Sequence, residues 1–232
     1  MARTHERDIV NKLKDYLEKN FGNQVKVIGT RIGLWKFQEL KQALPDPHPL
    51  FLHPDIDILL TGIPPGKNPA ITGVEAKAIY LRGDTPNLKF YQGLDEAVAL
   101  LRFGLDNVLF FQVFVVPLTD EKERDRMMGT FVEYPIPTRD IIRTLDLPIS
   151  YTPAFDFVIN NQLLEEPIQV LDLKHREEHA REEQLILKSN RRNPFLNSSL
   201  QYPTVIRKFL LDRFVWGHHG DDGKSMGRLI RE

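Results

Sequence analysis

The sequence predicts an α/β domain with elements in the order α-β-β-β-α-β, and three observations predict it. The chain opens with an amphipathic helical repeat, and two short strands with spaced acids then form a hairpin. NVLFFQVFVV at 107–116 is a nearly continuous apolar run of the kind a sheet buries on both faces. With 232 residues and 41% hydrophobic content the chain can build a proper core, as one large domain or a core with an appendage.

Taken in order, Ile9, Val10, Leu13, Tyr16 and Leu17 recur at helical spacing, with Thr4 placed to cap that helix and Phe21-Gly22 to end it. QVKVIGT at 24–30 alternates like a strand, and 34–53 is a proline-punctuated connection that includes PDPHP. HPDIDILL at 53–60 and ITGVEAKAI at 71–79 are the hairpin strands, separated by the turn-rich TGIPPGKNP. PNLKFYQGLDEAVALLRF then has helical periodicity and leads into the apolar strand. Beyond residue 117 the pattern weakens. Helices are expected over 138–146, 174–189 and 203–215, short strands near 130–134, 155–160 and 168–172, and a flexible tail, GHHGDDGKSMGRLIRE. The expected architecture is a mixed four-stranded sheet flanked by helices in a core over 1–117, with a mostly helical C-terminal extension over 118–232.

Composition narrows the chemistry. The absence of cysteine excludes disulfides, thiolate metal sites and a cysteine nucleophile, leaving carboxylate, histidine and water as ligands for a hard cation such as Mg²⁺ or Mn²⁺. No apolar run approaches the roughly 18 residues of a membrane span, and MARTHERDIV is unlike a signal peptide, so a cytoplasmic protein is expected. A net charge of -1 gives no global attraction to nucleic acid. A phosphate-binding surface would need local segregation of charge. Lys188, Arg191, Arg192, Arg207, Lys208 and Arg213 supply one candidate, opposed in that stretch by Asp212 alone; a solvated basic face is the plain alternative.

The hairpin carries the sharpest signal. Strand side chains alternate faces, so Asp55, Asp57 and Leu59 share one side, as do Glu75 and Lys77 on the next strand, while Val74, Ala76 and Ala78 take the side suited to burial. Clustered carboxylates repel, and a bound divalent cation is the usual remedy. A hairpin centred on Gly66 places Asp57 opposite Glu75 and Asp55 opposite Lys77.

The element order, with Pro54-Asp55 opening the second strand and Glu75-Ala76-Lys77 on the third, resembles the PD-(D/E)XK nuclease superfamily over roughly residues 4–116, with a restriction-endonuclease-like αβββαβ core. The nearest look is to archaeal Holliday-junction resolvases and related endonucleases, which have a glutamate at the start of the first helix, matched by Glu6. They and RecB-like nucleases also have a glutamine in the helix after the third strand, matched by Gln92. The tripeptide alone carries little, since an acid two before a lysine also occurs at Glu39, Asp120, Asp172 and Asp222; the strand context selects the copy at 75. A rival pairs Asp156 with Asp172-Leu173-Lys174, but no strong strand follows it.

The resemblance implies Glu75 as a metal ligand with Asp57 or Asp55, the Ala76 carbonyl as a further ligand, and Glu6 as another. The register favours Asp57 and the PD pattern favours Asp55, so both stay open. Lys77 would position the attacking water and stabilise charge on the phosphorane; in the plain alternative it salt-bridges Asp55 or Glu75. Gln92 would orient Lys77 or a phosphate. His48, His53, His218 and His219 are weaker candidates. The expected function is a Mg²⁺- or Mn²⁺-dependent nuclease, a DNA endonuclease first and RNA second, with a homodimer suited to cutting two strands. The other reading is a non-catalytic nucleic-acid-binding or assembly protein that keeps the fold.

Overall fold

Helix α1 (Ala2–Phe21) lays Ile9, Val10, Leu13 and Leu17 against the central sheet, all of them buried. At about 1.5–3 kcal/mol for each large apolar side chain removed from water, this stripe fixes the helix. The helix is already running at Ala2, so Thr4 lies inside it and is not its cap. The computed structural model describes residues 2–44, 55–63, 69–81, 91–160, 162–170, 191–197 and 199–217.

Strand β1 (Val25–Ile32) is followed by a 3-10 turn (Leu34–Lys36) and a short helix α2 (Gln38–Ala43). The hairpin strands β2 (Ile56–Gly62) and β3 (Ile71–Tyr80) pair antiparallel with Ile58 opposite Val74, the register expected for a turn centred on Gly66. Helix α3 spans Leu94–Leu101, later and shorter than its periodicity suggested. Strand β4 (Asn107–Leu118) lies parallel to β3 and is buried on both faces, as its unbroken apolar run requires.

The four-stranded sheet needs correction. Helices α4 (Arg124–Phe131) and α5 (Ile136–Thr144) form a crossover that returns the chain as β5 (Ile149–Ile159), parallel to β4 along its length. The short strands β6 (Gln162–Leu163) and β7 (Gln169–Val170) both pair antiparallel with β5, giving a seven-stranded mixed sheet. The segment beyond 117 therefore supplies a long central strand as well as helices. Residues 130–134, expected as a strand, end α4 and enter a turn. Helix α6 (Gln201–Leu210) continues into a π-helical turn (Leu211–Val215). The helix expected at 174–189 lies outside the described residues.

The packing on the sheet falls into three cores, one of which gathers Ile79, Phe114, Phe155 and Phe157 with Phe131 of α4. Ile58, Leu60, Val74, Ala76, Phe111 and Val113 pack under α1. Leu59, Ile71 and Phe110 pack on the other face with α3, α6 and the buried Leu34 and Leu40. The side of the hairpin that carries Asp57, Glu75 and Lys77 is thus covered by α3. Among the described residues no helix is long and apolar enough to cross a membrane.

Candidate active site

The pairing of β2 with β3 runs from Thr61–Ile71 to Ile58–Val74, whereas β3 stays paired with β4 as far as Tyr80. Past Ile58 the two hairpin strands therefore part, and the wedge between them is where the acids gather. Asp57 turns its Oδ2 onto the backbone N–H of Ala76, which donates to it at 2.8 Å, so a side chain takes the place of a ladder partner. Glu75, the next residue back on β3, is 2% exposed.

Lys77 is held from two helices. Its Nζ donates to Glu96 Oε1 at 2.8 Å, and Glu6 Oε1 of α1 lies 3.8 Å away. Glu96 belongs to the first turn of α3, where a carboxylate complements the helix dipole. Gly93 lets that turn approach: its φ is +88°, and a Cβ there would stand 2.7 Å from Lys77 Cβ. Only glycine meets both conditions without strain.

The wedge opens into a cleft of about 390 Å³ faced by five carboxylates, Glu6, Asp55, Asp57, Glu75 and Glu96, against Lys77, Arg7 and Arg31. Acids outnumber cations, and proton affinities respond. Removal from water pushes the Asp57 carboxyl up to about 7, opposed by the Ala76 N–H and reinforced by Glu6 and Glu96. Burial lifts Glu75 further, helped by the charges of Asp57 and Glu96 and by a hydrogen bond with Glu96. Burial alone would lower Lys77, but the Glu96 hydrogen bond and the surrounding acids outweigh it, and its affinity for a proton rises.

Asp57 and Glu75 are the pair that could hold a cation. Magnesium ordinarily takes one or two protein carboxylates and completes its shell with water and phosphate oxygens, and this donor set suits that pattern. A larger protein cage is not assembled: among the described residues no three His, Cys, Asp or Glu side chains are gathered to hold a metal ion. Asp55, expected to share the ligand role, is exposed and accepts the Trp35 indole N–H at 3.2 Å. Glu6 is 46% exposed and lies toward Lys77. Ala76 is buried, and the contact it contributes is its N–H to Asp57.

Two other residues are placed differently from the sequence expectation. Lys77 pairs with Glu96 and Glu6, neither of them the partner that hairpin geometry suggested. Gln92 is exposed in the turn before α3, outside the cleft lining, because the helix starts only at Leu94. The signal for Glu96 was present in Gly93-Leu94-Asp95-Glu96, a glycine followed by first-turn acids, which marks a helix start. Arg7 and Arg31 were also missed. Neither makes an ion pair among the described residues, and Arg31 has a φ of +52°, a left-handed backbone uncommon outside glycine and concentrated at functional sites.

The basic stretch has its own engagements. Arg207 donates to Asp106 at 2.6 Å and to the carbonyls of Gly104 and Pro69, tying α6 to the loop before β4. Arg213 pairs with Glu39 at 2.7 Å, and Arg191 pairs with Asp146. Arg192 and Lys208 are exposed. Lys188, His48, His53, His218 and His219 lie outside the described residues.

No family model matches the chain, and no curated protein matches it in sequence. Among solved structures the chain is similar to SfsA of Pyrococcus furiosus, determined in complex with Ca²⁺, at 14% sequence identity and a TM-score of 0.28. The match covers 73% of this chain and 60% of that one, less than two thirds of its length. So slight a likeness assigns neither family nor function, and the PD-(D/E)XK resemblance rests on the residues alone.

Proposed function

We propose that the protein is a divalent-metal-dependent nuclease that hydrolyses nucleic-acid phosphodiester bonds, with DNA cut endonucleolytically as the leading case. The observation that carries this reading is the excess of carboxylates at the fork of β2 and β3, with one lysine beside them. Asp57 and Glu75 would hold Mg²⁺ or Mn²⁺. When bound, such a cation supplies positive charge to the phosphate oxygens and lowers the pKa of a water.

The chain's own groups do the rest. Lys77, oriented by Glu96, places an ammonium beside Glu75, where it can align the attacking water and offset charge growing on the phosphorus oxygens. Arg7 and Arg31 offer guanidinium forks for the phosphates on either side of the scissile one. In-line attack of water at phosphorus, with release of the 3′ oxygen, leaves a 3′-hydroxyl and a 5′-phosphate. Two such sites in a homodimer would serve two strands.

The test is cleavage of plasmid, linear duplex, single-stranded and branched DNA and RNA with Mg²⁺ or Mn²⁺, comparing the intact protein with Glu75→Gln and Lys77→Ala. Metal-dependent cutting that both variants lose supports the reading. Binding without cutting selects the non-catalytic alternative.

A further inference from the structure

The rim of the cleft carries an aromatic side chain that the hydrolytic chemistry does not use. Trp35 sits in the 3-10 turn after β1 and is 39% exposed, although Gly33 and Leu34 just before it are buried. Its indole N–H donates to Asp55 Oδ1 at 3.2 Å, and Asp55 lines the cleft two residues from Asp57. That hydrogen bond sets the ring's edge toward the acids. The ammonium of Lys36 lies 5.4 Å from the ring centroid, so a cation accompanies the aromatic surface.

The turn is held in place. A Cβ on Gly33 would stand 3.1 Å from Asp55 Oδ1 and 3.0 Å from Lys36 Cε, so glycine lets this backbone close on Asp55. On the far side Phe37 packs on Phe209 and Phe214, with ring centroids 5.0 and 6.3 Å apart. Arg213, in the π-helical turn, lies 4.6 Å from the Phe37 ring centroid and grips Glu39 of α2. A tryptophan ring fixed at one edge and flanked by anchored residues loses little freedom when a flat partner docks on it.

We propose that Trp35 stacks against an unpaired nucleobase, so that the substrate class is nucleic acid with at least one unstacked nucleotide at the cleft: a single strand, a flap or a frayed end. The proposal rests on the nuclease reading for what occupies the cleft, and adds to it which form of the polymer is taken. A base in an intact duplex is already covered on both faces and cannot offer one to Trp35. A single strand can, and its flanking phosphates then meet Lys36, Arg31 and Arg7, which supply the charge complementarity that the acids of the cleft do not.

The experiment uses the full chain with Ca²⁺ in place of Mg²⁺. The sequence has two tryptophans, so Trp216→Phe leaves Trp35 as the sole indole reporter. Titration with a short single-stranded oligonucleotide should quench its fluorescence saturably, while a blunt duplex of the same sequence should not. Trp35→Ala should weaken single-strand binding, read by anisotropy of a labelled oligonucleotide, about 10- to 100-fold and leave duplex binding unchanged; Trp35→Phe should recover most of the loss, which a fold defect would not allow. Absence of quenching, or equal single-strand affinity in Trp35→Ala, overturns the proposal. Glu75-dependent cleavage with an unaltered ratio of single strand to duplex in Trp35→Ala overturns it too and leaves the nuclease reading standing. Trp35 quenching without cleavage under Mg²⁺ or Mn²⁺ does the reverse.

Discussion

Two lysines meet buried strand carboxylates in this protein, in opposite proportions. Lys12 of α1 reaches Asp156 of β5 with contacts of 2.9 and 2.8 Å to its two oxygens and donates a third hydrogen bond to the Leu164 carbonyl at 2.6 Å. Asp156 is 3% exposed and also accepts the backbone N–H of Phe157. The Lys12 ammonium has all three of its donors engaged, on a carboxylate and a carbonyl. Lys77, by contrast, faces Glu6, Glu75 and Glu96, with Asp57 close behind. In the first arrangement the lysine is fully engaged; in the second, carboxylates outnumber the cations beside them, and an excess of buried carboxylate calls for a proton or a ligand.

The largest expected effect separates the two directly. Glu75→Gln or Lys77→Ala should reduce metal-dependent cleavage at least about 100-fold, the scale of losing one positioned charge-stabilising group. Asp156→Asn should leave the rate of the folded protein within a few-fold. If Asp156→Asn lost cleavage as completely as Glu75→Gln, with the protein still folded by circular dichroism, the distinction between the two arrangements would collapse.

Stability should invert the order. Lys12→Ala takes the ammonium away from a carboxylate that is almost wholly enclosed and should cost about 3–5 kcal/mol in urea unfolding. Glu75→Gln, measured without divalent metal near pH 8, should raise stability, because it removes a charge that the fold suppresses only by holding a proton. Site residues that destabilise their own fold are the expected price of function.

The pH dependence sharpens the same contrast. Asp57, lifted from 3.8 to about 7, stays protonated in the folded metal-free protein in a range where the unfolded chain has ionised it. The folded state then binds more protons, so stability falls as pH rises from about 4 to about 7. Glu75, shifted in the same direction, extends the decline upward. Thermal melting in EDTA should show this slope, and saturating Mg²⁺ or Asp57→Asn should flatten it. A melting temperature that rises over this window in EDTA would mean that the acids are neutralised by something other than protons.

Smaller effects come from the supports. Gly93→Ala puts a side chain at φ +88° against Lys77 and should cost about 1–3 kcal/mol, lowering kcat more than it raises KM, since Lys77 is the group displaced. Arg213→Ala should cost only about 1 kcal/mol, because its pair with Glu39 is partly exposed and its ring contacts are modest. Its duplex affinity should be unchanged, as befits a tether.

What could be read from the residues follows one physical rule: periodicity reports which side of an element faces the interior. The stripe Ile9, Val10, Leu13 and Leu17 was legible as a docked helix, and 107–116 as a strand covered on both faces. The hairpin register was legible too, because a turn centred on Gly66 predicts Ile58 opposite Val74, where the pairing of the two strands ends. The partners of long polar side chains were not legible. Arg207 and Arg213 looked like a basic surface along the chain, yet each finds an acid more than a hundred residues away, Asp106 and Glu39.

The chain's local pattern was thus enough to specify an α/β domain, a charged hairpin and the acids and lysine it carries, since alternation and turn position act over a few residues. Other features had to wait for the folded molecule: β5 returning beside β4 to widen the sheet, Glu96 capturing Lys77 through the approach allowed by Gly93, and Trp35 meeting Asp55 at the rim. These depend on which distant segments pack together. That choice is made by the summed burial of three cores and the matching of individual charges, terms that no window along the sequence contains.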